Sequence, residues 1–270
     1  MDLNELNTRG LVLLGCGRMG SALLEGWLKG FLLPQSVHVI EPAPSDWLRG
    51  TGVHLNADLP GAPAVVVLAV KPQMMAAALP ALAAMGGGGT VFLSIAAGIG
   101  LARLGETLGE KAPIIRAMPN TPAAIGRGIT ALIGNARVTP AALAMARMLV
   151  EAVGESVLLH DEGQMDAVTA VSGSGPAYVF HLIEALAQAG TGQGLPPDMA
   201  LKLARATVAG AGALAETSGE DPARLRADVT SPGGTTAAAL DVLMDAQTGF
   251  PPLLRRAVAA AAQRSKELGA

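Results

Sequence analysis

The first half of the chain alternates short apolar runs with longer segments of mixed polarity. The runs have the length of strands, and the run at 65–70 shows no polar alternation, which is typical of a parallel strand buried on both faces. Helical stretches between such strands predict right-handed crossovers and a doubly wound, Rossmann-type α/β sheet. The predicted strands are 11–14, 37–40, 65–70, 90–95 and 114–116, and the first predicted helix is 21–28, with Gly30 as its stop.

The pattern changes after about residue 160, where β-branched runs give way to Ala-rich segments. Helices are predicted over 176–189, with Gly190 just past the end, and over 199–216. The second helix has no polar residue from 208 to 215, so that stretch must be covered on every side. We therefore expect an N-terminal dinucleotide-binding domain over 1–160 and an all-α helical domain over 161–270 that forms a homodimer.

Composition and charge exclude several classes of function. Aromatic residues make up 3% of the chain, its formal charge is −3, and Lys and Arg form no run. We therefore expect no nucleic-acid partner. The apolar runs are too short to cross a membrane, and Cys and His do not cluster, so neither a membrane nor a metal is expected. A single cysteine and a polar first ten residues favour a cytoplasmic location.

A glycine-rich loop follows the first predicted strand and opens the first predicted helix. Its glycines have the spacing of the dinucleotide fingerprint: the first allows a tight turn, the second a close approach of pyrophosphate, and the third close packing of the helix. The helix N-terminus adds N–H groups and a partial positive charge. Pyrophosphate is therefore expected to contact Gly15, Cys16, Gly17, Arg18, Met19 and Gly20. Cys16 is interpreted as a packing residue.

Glu41 ends the second predicted strand, about twenty residues beyond the glycine loop. A carboxylate there accepts hydrogen bonds from ribose hydroxyls and repels a 2′-phosphate, which favours NADH over NADPH. Ser45 and Arg49 lie just beyond and can serve a phosphate if the turn folds back, so both coenzymes stay open. An exposed charge at a strand end is the other interpretation of Glu41.

Five further segments carry distinctive motifs: 69–72 (AVKP), 94–99 (SIAAGI), 116–122 (RAMPNTP), 171–178 (VSGSGPAY) and 228–236 (DVTSPGGTT). In this order and at these intervals they resemble the pyrroline-5-carboxylate reductase family. The resemblance extends from Leu11 to about Arg264, and Ser-Pro-Gly-Gly-Thr-Thr is its most specific part. Some members have Asn in place of Asp228 and Ala in place of Thr235.

The resemblance implies NAD(P)H-driven reduction of the cyclic imino acid 1-pyrroline-5-carboxylate to L-proline. It also implies a helical domain that dimerises by interleaving, often with dimers assembled into rings. Cofactor contacts are implied at Asn56 on the adenosine side, and along the ribose and nicotinamide at Ala69, Val70, Lys71, Pro72, Ala96, Ala97 and Gly98. Substrate contacts are implied at Ser231, Gly233, Gly234, Thr235 and Thr236, with Thr236 closest to the imine.

The residue types at 231–236 suit a substrate that carries a carboxylate. Ser231 followed by Pro232 predicts a helix N-cap with proline at the first helical position. The N–H groups of the next three residues would then point outward, and a helix N-terminus binds anions. The hydroxyl of Thr236 can bridge to the ring nitrogen or hold the water that protonates it. A plain helix cap is the alternative, as a solvated lysine is for Lys71.

Two other functions remain as alternatives. A 3-hydroxyacid or 6-phosphogluconate-type dehydrogenase shares the Gly-x-Gly-x-Met-Gly opening and a two-domain plan. That family places a catalytic lysine early in its helical domain, whereas residues 172–187 contain no lysine. A nicotinamide-binding sensor without turnover is the second alternative, but such a protein would have no use for the glycine- and threonine-rich segment 231–236.

Overall fold

The structure is a computed structural model that describes residues 3–269. Its N-terminal part contains an eight-stranded sheet in the order β3-β2-β1-β4-β5-β6-β7-β8. Neighbouring strands run parallel except for β6 and β7, which are antiparallel. The strands are β1 Leu11–Leu14, β2 Val37–Ile40, β3 His54–Leu55, β4 Val65–Leu68, β5 Val91–Ser94, β6 Ile114–Met118, β7 Gly128–Gly134 and β8 Gly154–Leu158.

Helices cover this sheet and make up the C-terminal part of the chain. The α/β region followed by a helical region is confirmed. The helices are α1 Leu3–Arg9, α2 Arg18–Gly30, α3 Asp46–Arg49, α4 Pro72–Ala78, α5 Leu101–Leu108, α6 Pro140–Glu151, α7 Met165–Val168, α8 Gly175–Gly192, α9 Pro197–Ser218, α10 Pro222–Asp228, α11 Thr235–Leu243 and α12 Phe250–Gly269. Short 3₁₀ turns occupy Pro34–Ser36, Leu79–Met85, Thr121–Ile125 and Glu162–Gln164, and Thr169–Gly173 forms a π-helical turn.

The core lies on both faces of the sheet. Along β1 the fully buried Leu11 and Leu13 belong to one apolar cluster, whereas Val12 belongs to the cluster on the opposite face. This division is the two-residue side-chain alternation of a strand that is covered on both sides. Trp27 of α2 is also fully buried, and its indole N–H donates to the carbonyl oxygen of Leu149 in α6 at 2.7 Å. That bond satisfies the buried ring and fixes α2 against α6.

The three predicted helices are all longer in the structure. Helix α2 is Arg18–Gly30 rather than 21–28, and α9 is Pro197–Ser218 rather than 199–216. The predicted stop of α8 at Gly190 is wrong, because the helix continues to Gly192. A Cβ on Gly190 would lie 3.3 Å from Leu195 and 3.4 Å from Ala200, so this glycine allows α8 to pack closely on the next segment.

Contacts between residues divide the described chain into two compact units. Residues 3–173 together with 262–269 form the first, and residues 174–261 form the second. The domain boundary expected after residue 160 stays a prediction, because contacts between residues describe packing and do not show which part of the chain folds on its own. None of the helices within residues 3–269 is long and apolar enough to cross a bilayer.

Two histidines at the β2–β3 edge give a pH-dependent stability. The rings of His38 and His54 stack with their centroids 4.4 Å apart. Burial, and next the charge of His54, lower the pKa of His38 below its ordinary value, while the backbone of Asp58 acts in the opposite direction. The unfolded chain therefore binds a proton on His38 at a higher pH than the folded protein does. The contribution of this pKa difference to the free energy of unfolding is complete above about pH 6.5. It is lost as the pH falls toward the folded-state pKa.

We therefore expect the urea midpoint of unfolding to fall between about pH 7.5 and pH 5.5. His38→Phe keeps an aromatic ring against His54 and cannot be protonated, so its midpoint should fall less over the same interval. An identical fall in both proteins would remove His38 as a source of the pH dependence.

Candidate active site

The glycine loop between β1 and α2 has three different steric requirements. Gly15 has φ +89°, and a Cβ there would lie 2.9 Å from the carbonyl carbon and oxygen of Ala69. A Cβ on Gly20 would lie 2.5 Å from the carbonyl oxygen of Gly15. A Cβ on Gly17, by contrast, would have no described atom within 4 Å beyond its chain neighbours. Gly15 and Gly20 therefore shape the loop, and Gly17 leaves a cradle that a side chain would fill.

The start of α2 is suited to an anion. Its N-cap is Gly17, which has no side chain to occupy the first N–H groups of the helix. Arg18 follows as the first helical residue and is exposed. The start of α2 thus combines free N–H groups, the positive end of the helix dipole and the Arg18 side chain. This combination favours binding of a pyrophosphate group.

Glu41 is bound to the glycine loop. One carboxylate oxygen accepts the N–H of Cys16 at 2.8 Å, and the other accepts the N–H of Ala43 at 3.0 Å. The charge at the end of β2 is therefore held beside the loop and does not swing freely in solvent. Sequence reasoning identified Glu41 but missed this contact, because the bond joins residues 25 positions apart.

Asn56 holds Glu41 from the other side. Its side-chain oxygen accepts the N–H of Glu41, and its side-chain nitrogen donates to the carbonyl oxygen of Glu41, both at 2.9 Å. Asn56 is the non-glycine residue with positive φ among those described, at 51°. Asparagine tolerates this conformation better than most residues. Its amide therefore fixes the backbone of Glu41 just beyond the end of β2.

Cys16 packs within the loop. Its sulfur lies 3.4 Å from the hydroxyl oxygen of Ser21, which donates to the Cys16 carbonyl oxygen at 2.9 Å. Burial raises the pKa of the Cys16 thiol, Ser21 acts against this shift, and Glu41 adds to it. A raised pKa keeps the thiol neutral and weakly nucleophilic, in agreement with a packing role.

The other predicted cofactor residues lie at the same sheet edge. Because β1, β4 and β5 are parallel neighbours, their carboxyl ends lie side by side, and the segments 69–72 and 96–98 follow two of them. Ala96 is buried, and Gly98 has φ +77°. Lys71 is the exposed N-cap of α4, with Pro72 at the first helical position. The first unit thus brings these segments to the edge that carries the glycine loop.

The predicted substrate residues lie in the second unit, and the helix there starts later than expected. Helix α11 begins at Thr235 with Gly234 as its N-cap, so the predicted N-cap at Ser231 is wrong. The segment before it is a turn in which the N–H of Gly234 donates to the carbonyl oxygen of Ser231 at 3.0 Å. Gly233 has φ +67°, outside the right-handed helical region, and this prevents a helix from starting at Pro232.

Because α11 starts at Thr235, the backbone N–H groups of its first turn are those of Thr235, Thr236 and Ala237. These groups are free by position, since the first turn of a helix has no acceptors within the helix. Thr236 is the second helical residue and is half-buried, whereas Ser231 is exposed. The segment can therefore offer several N–H groups and a hydroxyl to one small anionic ligand.

The chain is similar to known proteins over nearly its whole length. The family described as pyrroline-5-carboxylate reductase dimerisation matches residues 162–268, and the family described as NADP oxidoreductase coenzyme F420-dependent matches residues 10–98. The pyrroline-5-carboxylate reductase of Pseudomonas aeruginosa is 40% identical over 269 residues, which cover 97% of this chain and 98% of that protein.

Solved structures agree with this similarity. The pyrroline-5-carboxylate reductase of Coxiella burnetii has a TM-score of 0.91 at 33% identity, over 98% of this chain and 100% of that one. The pyrroline carboxylate reductase of Plasmodium falciparum, with NADP bound, has a TM-score of 0.83 at 28% identity, over 98% and 99% of the two chains.

Proposed function

The chain belongs to the pyrroline-5-carboxylate reductase family and reduces 1-pyrroline-5-carboxylate to L-proline, and we propose that residues 15–20 hold its dinucleotide and residues 231–236 hold its substrate. The observation that carries the dinucleotide role is the cradle at Gly17, which stays open between two glycines that admit no side chain. The resemblance of 231–236 to the family's most specific segment supports the substrate role.

The residues of the first unit fit a nicotinamide dinucleotide. The N–H groups at the start of α2 and the side chain of Arg18 bind the pyrophosphate. Segments 69–72 and 96–98 line the ribose and the nicotinamide. The reduced nicotinamide, when bound, supplies the hydride for the carbon of the C=N bond.

The residues of the second unit bind the imino acid and polarise its C=N bond. The free N–H groups at the start of α11 bind its carboxylate, as helix N-termini bind anions. The hydroxyl of Thr236 donates to the ring nitrogen, or holds the water that protonates it, so that the nitrogen gains a proton as its neighbouring carbon accepts the hydride. Since a hydroxyl is a weak acid, its main contribution is orientation and polarisation.

The function has a direct test in a coupled assay. Purified protein should oxidise NADH or NADPH only when 1-pyrroline-5-carboxylate is present, with one L-proline formed for each reduced cofactor consumed. Cofactor binding without this turnover would favour the sensor instead. Turnover with a 3-hydroxyacid and oxidised cofactor, but none with the imino acid, would favour the dehydrogenase.

NADH is the proposed preferred coenzyme, although NADP is bound in a family structure. The support is the carboxylate of Glu41, which the glycine loop and Asn56 hold at the end of β2. A fixed negative charge accepts hydrogen bonds from ribose hydroxyls and repels a 2′-phosphate.

Glu41→Gln keeps an acceptor for the Cys16 N–H and removes the charge. We expect the ratio of kcat/KM for NADPH to that for NADH to rise about tenfold, as expected when a like-charge contact is removed. Glu110→Gln, an exposed carboxylate elsewhere, should leave the ratio unchanged. A ratio that stays constant in Glu41→Gln would assign coenzyme choice to other residues, Ser45 and Arg49 first.

A homodimer through the second unit is the proposed assembly. Large apolar side chains are exposed there in the single chain, among them Phe180 (60%), Leu203 (51%), Leu214 (54%) and Val242 (70%). The apolar stretch 208–215 is also mostly exposed. Apolar surface on this scale favours association with a second copy. A further ring of dimers and a cytoplasmic location stay predictions.

A further inference from the structure

The loop between β5 and α5, which carries Ala96–Gly98, is held by residues from much later in the chain. Two separate contacts reach it, both within the first unit. One comes from Glu162, and the other from the last turn of α12, residues 266–269. Neither contact involves the glycine loop or Glu41.

Glu162 fixes the far end of the loop. One oxygen of its carboxylate accepts the N–H of Leu101, the first residue of α5, at 2.9 Å. The same oxygen accepts a guanidinium N–H of Arg116 in β6 at 2.8 Å. Arg116 is 7% exposed, so this charge pair is shielded from solvent on the arginine side. The carboxylate thereby ties the start of α5 to the neighbouring strand.

The last turn of α12 supports the middle of the loop through backbone contact. A Cβ on Gly98 would lie 3.1 Å from the carbonyl oxygen of Leu268, and a Cβ on Gly269 would lie 2.7 Å from the carbonyl oxygen of Gly98. The turn is itself anchored, because the hydroxyl of Ser265, which immediately precedes it and is 5% exposed, donates to the carboxylate of Asp166 at 2.7 Å. The two backbones therefore pack directly on each other.

We propose that Glu162 and the last turn of α12 are positioning elements that hold Ala96–Gly98 in the conformation that receives the nicotinamide. The proposal rests on the proposed cofactor role of that loop. Because both contacts act on the β5 side of the sheet edge, they control the nicotinamide half of the cofactor. The pyrophosphate and adenosine half depends on the glycine loop, Glu41 and Asn56, which these contacts do not reach.

Two probes separate the two halves of the cofactor: NADH, and ADP, which lacks the nicotinamide and its ribose. In Glu162→Gln we expect the Kd for NADH to rise about three- to tenfold, the usual effect of weakening one partly buried hydrogen-bonded contact. The Kd for ADP should stay unchanged. In a folded variant, an equal weakening of both ligands, or two unchanged constants, would overturn the proposal.

Deletion of residues 267–270 tests the second contact independently, and serves alone if Glu162→Gln does not fold. It should again weaken NADH binding and leave ADP binding unchanged. Lys266→Ala, an exposed position in the same turn, is the matched control and should leave both constants unchanged. If the unaltered protein binds NADH but not ADP, the proposed pyrophosphate site is wrong, whereas equal losses in the variants contradict the positioning role alone.

Discussion

Replacing Thr236 with alanine is expected to lower kcat by roughly ten- to a hundredfold. Full general-acid help is typically worth about 10²–10⁴-fold, and a neutral hydroxyl should contribute at or below the lower end of that range. Thr236 is half-buried and lies in the first turn of α11, whose N–H groups are free by position. The variant removes the hydroxyl and leaves those backbone donors in place.

The measurement is steady-state turnover of 1-pyrroline-5-carboxylate together with equilibrium binding of NADH. NADH binding should remain nearly unchanged, since the dinucleotide is assigned to the first unit. Thr236→Ser keeps a hydroxyl and should recover most of the rate. Unchanged turnover in Thr236→Ala would remove Thr236 from the chemistry, and a failure of serine to recover the rate would point to the lost methyl group instead.

Gly17→Ala is expected to separate cofactor binding from stability. Gly17 has φ −70°, and beyond its chain neighbours no described atom would lie within 4 Å of a Cβ at this position. The free protein should therefore unfold at the same or a slightly higher temperature, because alanine restricts the unfolded chain. The added methyl group occupies the cradle assigned to the pyrophosphate, so NADH binding should weaken about tenfold or more.

Gly20→Ala provides the matched contrast. Its Cβ would lie 2.5 Å from the carbonyl oxygen of Gly15, so the backbone must shift even without a ligand. We expect a lower unfolding temperature as well as weaker NADH binding. Equal stability losses in the two variants would contradict the different roles of the two glycines.

The sequence predicted those features that depend on local pattern. The apolar runs identified the parallel strands at the centre of the sheet, since a strand buried on both faces has an uninterrupted apolar signal. Strands β3, β7 and β8 were not identified: β3 has two residues, β7 begins and ends with glycine, and β8 is largely exposed. The pairing of β7 with β6 comes from tertiary contacts rather than from a periodic signal.

Site features that depend on distant residues could not be predicted. Glu41 and Asn56 were identified separately, but their mutual hydrogen bonds require the fold that places β2 beside β3. The start of α11 was misplaced because Ser-Pro is a strong local cap signal, whereas the positive φ of Gly233 decides the boundary. The φ angle of a glycine cannot be predicted from the residue type, so the sequence could not place this boundary.

The central claim is that separate segments hold the two ligands: residues 15–20 the dinucleotide and residues 231–236 the imino acid. The most direct measurement is equilibrium binding of NADH to Gly17→Ala and to Thr236→Ala, each compared with the unaltered protein. NADH binding should weaken in Gly17→Ala and stay nearly unchanged in Thr236→Ala. Unweakened binding in Gly17→Ala, or an equal loss in Thr236→Ala, would contradict the claim.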